Sequence, residues 1–225
     1  MSLRSDALEY IKNNYDFYQG ILQDFINIPS ISTDPNRKPN MLEAANFIKK
    51  ILIQFGIHDV QILETKGHPV VFAEKKSVNS EALTVLIYGH YDVQPSDPIE
   101  LWETDPFTPT IKNDRLFGRG ASDMKGQIIA SLAAYHAITS NGPIPLNIKF
   151  IIEGEEEIGS PNLAEFLKDN KDLLKCDVIL NPDAGMISPE HPTIVYGLRG
   201  LTYFELNIYG PDHDLHSGMF GGIIH

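Results

Sequence analysis

Cysteine and tryptophan occur once each in 225 residues, at Cys176 and Trp102. A lone cysteine has no partner within the chain, so an internal disulfide framework is excluded and a reducing compartment fits. Positive charge is scarce too: 18 Lys and Arg face 30 Asp and Glu, a formal net charge of −12. Nucleic-acid binding draws on clustered Lys and Arg, so the balance argues against a nucleic-acid partner, and against an anionic membrane surface on the same ground. No apolar run approaches the roughly 18 residues that span a bilayer. The opening MSLRSDALEYIKNNYDF lacks a basic stretch followed by an apolar one, so the sequence predicts a cytoplasmic protein.

Apolar residues make up 42% of the chain, enough for a sizeable core. Leu8, Ile11, Tyr15, Tyr18, Leu22, Phe25 and Ile26 recur at helical spacing and predict one amphipathic helix over about 5–28, ended by Pro29. Asn40 with Glu43 reads as a capping box opening a second helix to about Phe55. Short β-like runs follow at 60–63, 69–73 and 83–88, then a strand pair around 111–117 and an apolar helix over about 127–139. A strand at 146–152, a helix from Ser160-Pro161 to about Lys168, and a strand at 177–180 complete the alternation. This order predicts an α/β fold, a three-layer sandwich with a mostly parallel central sheet.

From about Gly197 the pattern changes. Residues 201–209 alternate in the manner of one long strand, and a smaller α+β module is expected to begin there. The domain reading is 1–197 for a first, larger unit and 198–225 for the first strand of a second. The chain then breaks off at Gly221-Gly222-Ile223-Ile224-His225 with no closing element, which suggests a fragment.

Ligands in open α/β sheets bind beyond the carboxyl ends of the strands. Four such places carry polar residues with no evident structural need: Gly89-His90-Tyr91-Asp92, Gly120-Ala121-Ser122-Asp123, the run Glu153 to Glu157, and Pro182-Asp183. So many carboxylates at one edge repel one another unless a multivalent cation sits among them. Imidazole plus carboxylate without thiolate suits zinc, with manganese or cobalt as alternatives; calcium favours more oxygens and no histidine. Shared carboxylates point to two ions about 3.5 to 4 Å apart, one carboxylate bridging them.

The ordered segments Gly89-His90-Tyr91-Asp92-Val93-Gln94-Pro95, Leu101-Trp102-Glu103 to Phe107, Leu116 to Gly126 and Glu153-Gly154-Glu155-Glu156-Glu157-Ile158-Gly159-Ser160 resemble a known family. It is the dinuclear metallopeptidase family of carnosinase, cytosolic nonspecific dipeptidase, acetylornithine deacetylase and succinyl-diaminopimelate desuccinylase. The wording is most similar to the dipeptidase branch.

The resemblance implies roles position by position. His90 and Asp183 would hold one metal, Asp92 would orient the His90 ring, and Asp123 would bridge two divalent ions, followed by a cis bond before Met124. Spacing to Gly159-Ser160 makes Glu156 the general base and Glu157 the second-metal ligand, and leaves Glu155 a bystander. His216 would steady the oxyanion in a partner subunit's site, which implies a homodimer through a lid or dimerisation domain. A further histidine ligand and the carboxylate-binding residues lie, in the family, in a C-terminal stretch beyond this sequence. The implied reaction is hydrolysis of a dipeptide or small peptide by hydroxide held between the metals, or removal of the acyl group from an N-acyl amino acid; the rival from another class is a noncatalytic metal-binding or dimerisation fragment.

Overall fold

The computed structural model describes residues 3–188 and 190–221. No helix among them is long and apolar enough to cross a membrane. The chain divides into two compact units, Met1–Gly185 and Met186–His225.

The first unit opens with α1 (Leu3–Asn13) and α2 (Tyr15–Ile26), two helices where the periodicity predicts one. Asn14 separates them: its side-chain amide donates to the Tyr10 carbonyl, a local bond that competes with helix continuation. The helix α3 (Lys38–Gln54) starts two residues before the expected Asn40, behind a short 3₁₀ turn at Pro35–Arg37. Asp34 caps that turn by accepting from the Asn36 amide. Asn40 and Glu43 do pair, side chain to side chain, on the exposed helix face.

Five strands form the main sheet in the order β1 (Asp59–Leu63), β2 (Val70–Lys75), β6 (Asn147–Glu153), β3 (Thr84–His90), β7 (Val178–Leu180). The strand β2 runs antiparallel to both β1 and β6, whereas β6, β3 and β7 are parallel, so only β2 opposes the common direction. A separate hairpin, β4 (Thr110–Lys112) and β5 (Arg115–Phe117), turns at Asn113 and Asp114. Both turn residues have positive φ, as a two-residue hairpin turn requires.

Strand alternation divides the core between the two sheet faces. Val71, Ala73, Ile148, Phe150 and Ile152 pack with residues of α2, α3 and α4 (Lys125–Thr139). Val70, Phe72 and Ile151 pack on the other face against Phe166 of α5 (Leu163–Asp169) and Leu174. This is the expected three-layer sandwich. Its parallel strands β3 and β6 end together, with His90 opposite Glu153.

In the second unit, residues 201–209 are all exposed and pair with no strand among the described residues. Alternation alone does not make a strand, because its backbone groups need a neighbouring ladder. The helix α6 (Ser217–Phe220) follows. Residues 222–225, where the sequence suggests a break, lie outside the described residues.

Candidate metal centre

The site is built where β3 and β6 end. Tyr91 extends β3 by donating its amide to the Glu153 carbonyl and anchors its phenol on the Pro69 carbonyl, 2.7 Å away. Asp92 is thereby carried inward and is fully buried. Its carboxylate accepts from the backbone amides of Glu156 (3.2 Å) and Glu157 (3.1 Å), the first residues of a 3₁₀ turn after β6. A carboxylate on free amide hydrogens is favourable there, and it locks one strand end to the other.

His90 is also fully buried, with Nδ1 3.1 Å from the Asp92 carbonyl oxygen and 3.4 Å from its carboxylate. Two acceptors at Nδ1 place the proton of the neutral ring there and leave the Nε2 lone pair facing the cleft. Around Nε2 stand Asp123 Oδ1 at 3.1 Å, Asp183 Oδ2 at 3.7 Å and Glu156 Oε2 at 3.9 Å. Asp123 precedes α4, across a cis peptide bond to Met124. Asp183 follows β7.

Electrostatics follow from that crowding. Burial pulls the His90 imidazole down, but the hydrogen bond to Asp92 and the charges of Asp92, Asp183 and Glu156 outweigh it and raise the pKa to about 9. Burial raises Glu156, Glu157 and Asp183 above the ordinary carboxylate range; neighbouring carboxylates add to this and His90 opposes it. Among the described residues no Lys or Arg forms an ion pair with any of the four carboxylates Asp123, Glu156, Glu157 and Asp183. Within this cluster His90 is the group drawn towards its protonated form.

The donor set fits a divalent metal. One donor atom each from His90, Asp123 and Asp183 lies within 4.8 Å of the others. Ligands about 2.1 Å from one zinc stand roughly 3 to 4 Å apart, so small adjustments close this triad on an ion. Glu157 stands outside the triad, its carboxylate held by Gln94 Nε2 at 2.8 Å. His216 belongs to the second unit, where it is exposed and its Nδ1 accepts from the Gly218 amide.

A family model described as "Peptidase family M20/M25/M40" matches residues 86–198. The chain belongs to this peptidase family. Its M20 relatives include the Cys-Gly metallodipeptidase of Schizosaccharomyces pombe, 36% identical over 100% of this chain and 50% of that protein. Another is human Beta-Ala-His dipeptidase, 44% identical over 100% of this chain and 47% of the relative. Among solved M20 structures, the di-peptidase Dug1p of Saccharomyces cerevisiae superposes with a TM-score of 0.79 at 29% identity, covering 100% of this chain and 50% of that one. The chain spans about half the length of the curated relatives it matches.

Several residues of this M20 site escape sequence reasoning. Glu155, read as a bystander, is buried and accepts from the His68 amide, 87 residues away, and from Asn162 Nδ2, seven residues on, which pins the start of the 3₁₀ turn. Glu153 is buried as well and accepts from Tyr88 and Ser160. Met124 Sδ accepts from the His90 amide at 3.1 Å. The sequence places Glu153 and Glu155 in an acidic run at a strand end, but nothing in it gives their partners.

Proposed function

We propose that the protein is a dinuclear metal-dependent peptidase that hydrolyses dipeptides or small peptides. The observation that carries this reading is the convergence of His90, Asp123 and Asp183 on one point with the Glu156 carboxylate beside it. Relatives named as a Cys-Gly metallodipeptidase and a Beta-Ala-His dipeptidase support the substrate class.

In this reading His90 and Asp183 would hold one divalent ion, and Asp123 would be shared with a second, to which Glu157 would contribute. Zinc suits the donor set best, with manganese or cobalt as alternatives. Bound cations at such a site supply Lewis-acid polarisation of the amide carbonyl and ease deprotonation of water. Asp92 keeps the His90 ring in the liganding tautomer. Glu156, shifted upward by burial, takes the proton from the attacking water and returns it to the leaving amine. The domain assignment is a metal-dependent catalytic domain at 1–197 and the start of a lid or dimerisation domain at 198–225. His216 serves the oxyanion of the partner subunit's site in a cytoplasmic homodimer.

The test supplies the purified protein, loaded with Zn²⁺, Mn²⁺ or Co²⁺, with Cys-Gly, β-Ala-His and their N-acetylated forms. Release of free amino acid from the unmodified dipeptides, and slower release from the acetylated ones, is the expected result. Preference for the acetylated forms would make the protein a deacylase of N-acyl amino acids. Metal binding without cleavage of any of them favours a noncatalytic metal-binding fragment over the hydrolase reading.

A further inference from the structure

Lys125 is fully buried two residues after Asp123, at the first turn of α4, and the chemistry above gives it no task. Its ammonium donates to the Phe25 carbonyl at 2.9 Å and the Ile28 carbonyl at 2.6 Å, and lies 4.7 Å from the centre of the Phe25 ring. Burying an ammonium is costly, and an apolar side chain of similar length fills such a space more cheaply. The carbonyls it grips end α2 and lead into the segment that cradles the metal loop. Ser30 donates its hydroxyl to the Tyr91 carbonyl at 2.6 Å and accepts the Val93 amide at 2.9 Å, and Ile31 bridges to Val93 in parallel. Asp92 lies between those two anchored residues. One helix start therefore presents Asp123 and holds, through Lys125, the backbone that sets Asp92 and His90.

We propose that Lys125 is a positioning residue for the metal site: it fixes the spacing between Asp123 and the His90–Asp92 loop. Met124, accepting the His90 amide, is the shorter arm of the same clamp. The proposal rests on the metal reading given above.

Lys149 provides the control. It too is buried and donates to two carbonyls, those of Leu173 and Lys175, but it stands four residues before the end of β6, away from the ligands. If gripping carbonyls only stabilises the fold, the two lysines behave alike.

The experiment measures Co²⁺ affinity, the Co²⁺ absorption spectrum and the melting temperature for the unsubstituted chain, Lys125→Met, Lys149→Met and Ser30→Ala. Lys125→Met is expected to lose about tenfold to a hundredfold in affinity, the range found when a residue supporting a ligand is removed, with an altered spectrum. Ser30→Ala, which breaks the next link, shifts affinity in the same direction by less. Lys149→Met is expected to lower the melting temperature and leave affinity and spectrum alone. Unchanged affinity and spectrum in Lys125→Met overturn the proposal, whatever happens to its melting temperature. Should that variant fail to fold, unchanged Co²⁺ binding in Ser30→Ala overturns it instead. No Co²⁺ binding by the unsubstituted chain defeats the metal reading and this proposal together; binding that no variant alters defeats this one alone.

Discussion

Glu156 and Asp92 are both carboxylates within reach of His90, and their surroundings give them different work. Asp92 is fully buried and each of its carboxylate oxygens holds a backbone amide, so it serves as a fixed anchor. Glu156 is partly exposed and carries no such bonds from its carboxylate among the described residues, and burial raises its proton affinity. Glu156→Gln is therefore expected to lower peptide hydrolysis by about 10² to 10⁴ while Co²⁺ binding stays unchanged. Loss of metal together with activity would place Glu156 among the ligands. The convergence of His90, Asp123 and Asp183 in one place was legible in the sequence because polar residues at the ends of apolar strands have few structural uses. Glu155 and Lys125 were not, since their partners, the His68 amide and the Phe25 carbonyl, lie 87 and 100 residues away and are backbone groups that any residue supplies.

Among the elements, α4 combines local propensity and tertiary packing in opposite senses. Its apolar character all round predicted a buried helix, and residues on it pack against the sheet and α2. Gly126 sits in its first turn, where alanine normally favours a helix by about 1 kcal/mol. Here an added Cβ would run into the backbone carbonyl of Ala121, in the loop that leads to Asp123. Gly126→Ala is expected to destabilise the protein by about 1 to 3 kcal/mol, the cost of overpacking, in urea unfolding; a gain in stability would show that the loop yields freely. The alternating strands and both core faces followed from apolar periodicity. The break at Asn14 did not, because a side-chain bond to a carbonyl four residues back leaves the apolar spacing intact on either side.

For the whole molecule, the acidic centre couples fold stability to pH and to metal. In the metal-free chain, burial raises Glu153, Glu156 and Glu157 above 4.5 and Asp183 above 3.8. A folded-state pKa above the unfolded one means the folded chain binds more protons, so this stabilisation is present at low pH and is lost as pH rises through the raised values. His136, pulled below 6.5 by burial, opposes this, as do the exposed Glu103 and Glu190, lowered by hydrogen bonds from Lys112 and Ser188. The metal-free melting temperature is thus expected to fall across a window that opens at about pH 4.5, and Zn²⁺ to raise it more at the higher pH, where the carboxylates are free to bind. At a hundredfold excess over the dissociation constant, binding adds about 2.7 kcal/mol. That is worth roughly 5 to 10 °C in a chain of this size. A metal-free melting temperature that climbs across the same window contradicts the assigned shifts.

The most direct test of the central claim is the zinc content of the protein after equilibrium dialysis, compared with His90→Ala, Asp123→Asn and Asp183→Asn, each checked for a native circular dichroism spectrum. The account expects bound zinc in the unsubstituted protein and less in all three folded variants, with the largest loss for Asp123, the residue proposed to be shared between metals. Zinc absent from the unsubstituted protein, or retained in full by Asp123→Asn, would contradict it.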